Sequence, residues 1–162
     1  MSATPWWKNT RGELFVIAQF MLFGLVALGP RTLPGLPEWS SGFRIFGSIA
    51  GGLMMLSGLL LAAAGALKLG HNLTPFITPK ESGVLLEQGA YGFVRHPIYS
   101  GIMQLAFGWG LRTGGWLTLG YALLLFVILD RKARREEVIL RQTFPGYDAY
   151  SRRVKRLIPF IY

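Results

Sequence analysis

Cysteine is absent from the 162 residues, which removes disulfide frameworks and thiolate metal sites together. Histidine is scarce: His71 and His96 are the only two, too few for a zinc site of histidine and carboxylate ligands, so no metal is expected. Acidic side chains are few as well, 8 against 17 Lys and Arg, for a net charge of +9. Such an excess invites a nucleic-acid partner, but the placement argues otherwise. Nine of the seventeen bases fall between Arg131 and Arg156, and the rest flank apolar runs. Bases so placed set membrane topology and touch anionic lipid headgroups, so no nucleic acid is expected. None of the apolar runs carries an acid, whereas small transporters usually keep one mid-span for coupling.

What remains is greasy. Hydrophobic residues make up 51% of the chain, with 21 glycines, 11 phenylalanines and 5 tryptophans, and the mean hydropathy is +0.38. The length is that of one domain. No cleavable signal peptide is expected, because residues 1–13 are polar and mixed and no small-residue cleavage site follows the first apolar run.

That run, Leu14 to Pro30, has 17 residues without a charge, and the next, Ile45 to Leu67, has 23. About 20 residues cross a hydrocarbon core roughly 30 Å thick, and within lipid only a helix satisfies its own backbone. The third apolar region is interrupted: Pro97 to Leu111, a turn at Arg112-Thr113-Gly114-Gly115, then Trp116 to Leu129. A Gly-Gly turn between two short apolar segments reads as a helical hairpin.

The expected fold is therefore an all-α integral membrane protein of four transmembrane helices, at about 13–30, 44–68, 97–111 and 114–140. The last two form a short hairpin, and residues 1–162 form one membrane domain. With both termini cytoplasmic, segments 1–13, 68–96 and 130–162 hold 14 Lys/Arg and the opposite side holds only Arg31, Arg44 and Arg112, which obeys the positive-inside rule. Gly47, Ser48, Gly51 and Gly52 form a small-residue stripe suited to helix packing; it would also permit a dimer.

Two polar clusters stand out. Pro97 suits the first position of a helix, where its missing N–H costs nothing. The free amides that follow, with the positive end of the helix dipole, can hold a carboxylate. His96 and Tyr99 sit at that entrance on one face. The second cluster, Asp130 to Glu137, follows the fourth apolar segment, and Glu136 stands about 10 Å beyond Leu129 if the helix continues. Lys132 and Glu136 share a face, whereas the adjacent Glu136 and Glu137 point about 100° apart and are not expected to serve one site. By charge pattern alone, this cluster reads equally as a solvated, self-neutralising juxtamembrane face, and Arg95-His96-Pro97 as an interfacial helix cap.

The run Gly89-Ala90-Tyr91-Gly92-Phe93-Val94-Arg95-His96-Pro97-Ile98-Tyr99-Ser100-Gly101 resembles the Arg-His-Pro-x-Tyr-x-Gly signature of the isoprenylcysteine carboxyl methyltransferase family, which is related to the membrane phospholipid N-methyltransferases. Glu136-Glu137, Phe144-Pro145-Gly146-Tyr147 with Tyr150, and Val154 to Pro159 resemble its later blocks, in order. The resemblance covers about Leu69 to Tyr162 and implies an S-adenosylmethionine-dependent methyltransferase, with S-adenosylhomocysteine as product. The donor pocket would be roofed by the loop before the third helix and by the C-terminal segment, a cofactor-binding portion of 69–162. Carried onto matching positions, donor contacts would come from Val84, Leu85, Leu86, Tyr91, His96, Pro97, Ile98, Tyr99 and Glu136. His96 or Glu137 would serve as positioning group or base, and Lys132, or else Arg131 or Arg135, would meet the acceptor. The implied acceptor is lipophilic and membrane-borne, a prenylated acid or, alternatively, a phospholipid amine. A sterol reductase would need a larger chain, and a non-catalytic small membrane protein is the remaining alternative.

Overall fold

The computed structural model describes residues 12–70, 74 and 84–162, and among these every regular element is helical. The order is α1 (Glu13–Leu28), α2 (Ser41–Leu69), α3 (Ala90–Phe93), α4 (Pro97–Thr113), α5 (Trp116–Thr143) and α6 (Tyr147–Arg153). His71, the basic residues Lys8 and Arg11 and most of the loop before the signature lie outside the described residues. Among the described residues one helix, Ser41–Leu69, is long and apolar enough to cross a membrane by length and composition, and Glu13–Leu28 is a shorter apolar helix. Helix α2 starts three residues ahead of the expected 44 because Ser40 caps it, its hydroxyl accepting from the Phe43 amide at 3.4 Å.

The architecture is centred on the α2–α4 pair. Gly47, Gly51, Gly58 and Gly65 are the buried residues of α2; Gly51 and Gly58 face Gly108 and Gly101 of α4, while Gly47 meets Leu111 and Gly65 meets Pro97. The approach leaves no room for side chains: a methyl group on Gly51 would lie 2.4 Å from the Gly108 carbonyl oxygen, and one on Gly101 would lie 2.4 Å from that of Gly58. Small residues permit this backbone contact where apolar solvent gives helices no other reason to associate. The stripe read at Gly47 and Gly51 as a helix-packing face is thus filled by α4 of the same chain.

Helices α4 and α5 form a tight hairpin. Gly114 adopts φ 64°, and Gly115 donates to the Gly110 carbonyl at 3.0 Å, a Schellman closure that needs glycine at the left-handed position. α4 runs two residues past the expected 111 because this closure caps it at Gly114, while Thr113 turns its hydroxyl back onto the Trp109 carbonyl at 2.8 Å. α1 lies along α5, touches the edge of α4 and, among the described residues, does not pack on α2. α5 continues well beyond the end of its apolar stretch at Leu129, and this extension carries the second polar cluster to the site.

Candidate functional site

The signature segment is built by three local devices. The short helix α3 ends at Val94, which is fully buried; Arg95 and His96 then pair with the C-terminal segment, their amides donating to the carbonyls of Lys155 (2.8 Å) and Arg156 (3.1 Å). Pro97 starts α4, so the amides of Ile98 and Tyr99 have no acceptor within the helix. Ser100, one turn in, donates its hydroxyl to Leu157 O at 2.6 Å and locks the C-terminal strap against the helix entrance.

His96 is the hinge of the chemistry. Its ring stacks on Tyr99 with centroids 5.4 Å apart and planes 1° from parallel. Its Nδ1 lies 3.5 Å from Glu136 Oε2 and its Nε2 lies 3.3 Å from Glu137 Oε1. The two adjacent glutamates therefore both reach His96, although they face different surroundings. The flat imidazole stands between them, so a 100° separation on the helix becomes an approach to two opposite ring nitrogens.

Their environments differ sharply. Glu137 is closed off, its side chain 1% exposed. It receives Arg95 Nε (2.9 Å) and both Nε and Nη2 of Arg156 (3.0 Å each), with Arg141 at 3.7 Å. Burial works to raise its carboxyl, but the hydrogen bonds from His96, Arg156 and Arg95 outweigh this and hold it well below the usual carboxylate range. Glu136 instead faces a cavity. Burial raises its carboxyl above the ordinary range, and His96, Lys132 and a hydrogen bond with Tyr99 offset only part of the effect. Tyr91, buried nearby and facing the Glu136 charge, is pushed up to about 12 and stays a neutral phenol.

The cavity measures about 370 Å³, within the range of small-molecule sites. Val84, Leu85, Leu86, Tyr91, His96, Pro97, Ile98, Tyr99 and Glu136 all line it, so the nine positions singled out for the donor share one wall system. Glu137 does not line it; it sits behind His96 as a buried anchor. Lys132 lines the cavity, its Nζ donating to Gln19 Oε1 at 2.9 Å and lying 5.1 Å from the centre of the Tyr99 ring. Arg131 and Arg135 do not. They are exposed one position off the Lys132/Glu136 face, Arg135 covering the Phe15 ring at 5.0 Å.

Several wall residues escaped the sequence reading. Gln19, 6% exposed, is the buried polar residue of α1; its signal was present, since it is the lone polar side chain in the run from Leu14 to Pro30. Arg95, Leu140, Phe144, Tyr147 and Tyr150 also line the cavity. Tyr150 donates to the Tyr91 carbonyl at 2.6 Å and fixes the roof. The Tyr147 hydroxyl is buried at the wall without a hydrogen-bond partner, the kind of orphan that a ligand satisfies. A carboxylate, an orphaned phenol, stacked aromatic faces and two free helix-start amides form a donor set that suits an amino-acid-bearing, cationic nucleoside. No group of three or more metal-ligating side chains occurs among the described residues.

Comparison with known proteins finds the phospholipid methyltransferase family profile matching residues 46–146. The protein-S-isoprenylcysteine O-methyltransferase of Schizosaccharomyces pombe is 28% identical over 123 residues, covering 74% of this chain and 52% of that relative. A probable protein-S-isoprenylcysteine O-methyltransferase of Oryza sativa subsp. indica is 29% identical over 120 residues, 72% of this chain and 63% of the relative. A delta(14)-sterol reductase of Mus musculus is 35% identical over 82 residues, 48% of this chain and 20% of the relative. The chain thus spans a fifth of the reductase and between half and two thirds of the two O-methyltransferases.

Proposed function

This chain belongs to the phospholipid methyltransferase family, and from that premise we propose that it is an S-adenosylmethionine-dependent methyltransferase of a lipophilic, membrane-borne acceptor, most like an isoprenylcysteine carboxyl O-methyltransferase. The observation that carries the reading is the convergence of Tyr91, His96, Tyr99 and Glu136 on one 370 Å³ cavity.

S-adenosylmethionine supplies an electrophilic methyl group. Glu136 accepts hydrogen bonds from the ammonium or ribose hydroxyls, and the amides of Ile98 and Tyr99 receive the carboxylate at the positive end of α4. Tyr91 and Tyr99 offer π faces to positive charge. Leu85, Leu86, Leu140 and Phe144 exclude water. Glu137, pinned by two arginines, holds His96 flat against Tyr99. Methyl transfer asks for in-line positioning and desolvation more than for covalent help, and this rigid wall provides both.

The acceptor end is marked by Lys132 and Gln19. A buried ammonium there attracts a carboxylate and repels a cationic amine, which favours an acidic acceptor over a phospholipid amine; a carboxylate nucleophile also needs no general base. The four-span reading, with both termini cytoplasmic, is supported by 14 Lys/Arg on one side against 3 on the other. α4 is about 25 Å long and the apolar part of α5 about 21 Å, so the hairpin brings the site close to the membrane surface. Ile98 and Ile102 extend the apolar wall of the cavity, where a lipid tail would enter sideways while the soluble donor arrives from the cytoplasm.

The test is to incubate purified chain with methyl-labelled S-adenosylmethionine and a membrane-lipid extract, and to follow label by mass spectrometry. Label in an alkali-labile methyl ester of a lipophilic acid is expected. Label in a phospholipid amine would select the alternative acceptor, and no labelled product would contradict the reading.

A further inference from the structure

The C-terminal strap does more than close the site. Its first half is tied down by Lys155 O, Arg156 O and Leu157 O, which accept from the Arg95 amide, the His96 amide and the Ser100 hydroxyl. Its end is tied too: Leu157 and Ile158 donate to the Tyr162 carbonyl at 2.7 and 2.8 Å, and the Tyr162 hydroxyl donates to Asp130 at 3.0 Å. Between these anchors the chain makes a closed turn whose tip carries Phe160 and Ile161, 80% and 74% exposed. Phe160 has φ 64°, a conformation that bulky residues avoid, so the turn thrusts out two large apolar side chains in a strained backbone rather than folding them in.

Phe93 shares this surface. Its ring meets Phe160 edge-on at 5.2 Å, and it lies four residues before Pro97, where α4 begins. The tip therefore stands level with the entrance of α4. Below it runs a second, almost wholly apolar cavity of about 690 Å³, from Phe93, Ile158 and Pro159 down between α2 and α4 to Met54 and Phe107. Its hydrogen-bonded polar pair is Ser57, donating to Gln104 at 2.6 Å. A contiguous apolar tip and groove rising from the α2–α4 pair face hydrocarbon once those helices span a bilayer, and the partner chemistry is acyl chain.

We propose that Phe160, Ile161 and Phe93 form a membrane-seated anchor that inserts among lipid acyl chains at the cytoplasmic boundary and so holds the strap that carries Arg156 to Glu137. The proposal rests on the four-span reading but not on the identity of the donor or acceptor.

The absence of cysteine makes the test clean. Phe160→Cys, Ile161→Cys and Asp148→Cys chains are spin-labelled in phosphatidylcholine nanodiscs and probed with oxygen and a water-soluble nickel chelate. Asp148 pairs with Arg141, some 18 Å beyond Leu129 along α5, and serves as the aqueous reference. Labels at 160 and 161 are expected to favour oxygen and to sit about 5–10 Å inside the phosphate plane, with the label at 148 in water. Nickel accessibility at both 160 and 161 equal to that at 148 would overturn the proposal. So would shielding from both reagents with a doubled particle mass, which marks a seat for a second copy. S-adenosylhomocysteine titration of the same samples reads the donor site separately.

Discussion

Glu137 Oε1 lies 3.3 Å from His96 Nε2 and accepts from Arg95 and Arg156 at 2.9 and 3.0 Å, so one buried carboxylate ties together the signature segment, the end of α5 and the C-terminal strap. Glu136, its neighbour in sequence, meets the other nitrogen of the same ring from inside the cavity. The two glutamates thus divide the labour, Glu137 outside the cavity and Glu136 within it, and the two roles separate in experiment.

Glu137→Gln leaves two arginines without their buried counter-charge. A loss of about 3–5 kcal/mol is expected, the usual cost of breaking a buried ion pair from one side. Thermal unfolding in detergent measures it, and a change within about 0.5 kcal/mol would show that the clamp is not structural.

The same carboxylate sets an acid limit. Because its folded pKa is depressed, its stabilisation is complete above its unfolded value of about 4.3 and drains away as pH falls toward the lower folded value. The melting temperature should decline more steeply below pH 4 in the wild type than in Glu137→Gln. Parallel curves would remove Glu137 from that role.

Glu136→Gln should leave the melting temperature almost unchanged and weaken S-adenosylhomocysteine binding by about tenfold, the worth of one charge-assisted hydrogen bond. Since burial raises the Glu136 carboxyl, wild-type affinity should fall as pH drops through that raised value, and the variant should lose this dependence.

Tyr147→Phe removes a buried hydroxyl without a partner. The ligand-free protein should be as stable or more stable, since an unsatisfied buried group costs about 1–3 kcal/mol, while donor affinity drops. Reduced stability without ligand would mean that the hydroxyl already has a structural task.

Gly101→Ala puts a methyl group 2.4 Å from the Gly58 carbonyl oxygen and 2.7 Å from the Ala62 Cβ, and should cost about 1–3 kcal/mol through overpacking. Gly120→Ala meets nothing within 4 Å and should gain about 0.5–1 kcal/mol. Equal effects would contradict the α2–α4 contact.

Legibility in the sequence followed range. Pro97 as helix start, the Gly114-Gly115 turn and the shared face of Lys132 and Glu136 are local, and residue spacing exposes them. The partner of the α2 glycines is not local: nothing in Gly47 or Gly51 names Gly108 as the opposing surface. Arg95 and Arg156 meet over Glu137 only because the strap folds back across α4, and the convergence of both glutamates depends on where an imidazole from another segment stands. Gln19 was readable as an oddity but its role was not, because its partner Lys132 lies on α5.

The most direct measurement of the central claim is calorimetric titration of the purified chain, in detergent or nanodiscs, with S-adenosylhomocysteine, alongside the His96→Ala variant. Saturable one-to-one binding in the micromolar range is expected for the wild type, weakened at least about tenfold in the variant. No heat of binding to the wild type at millimolar ligand would contradict it.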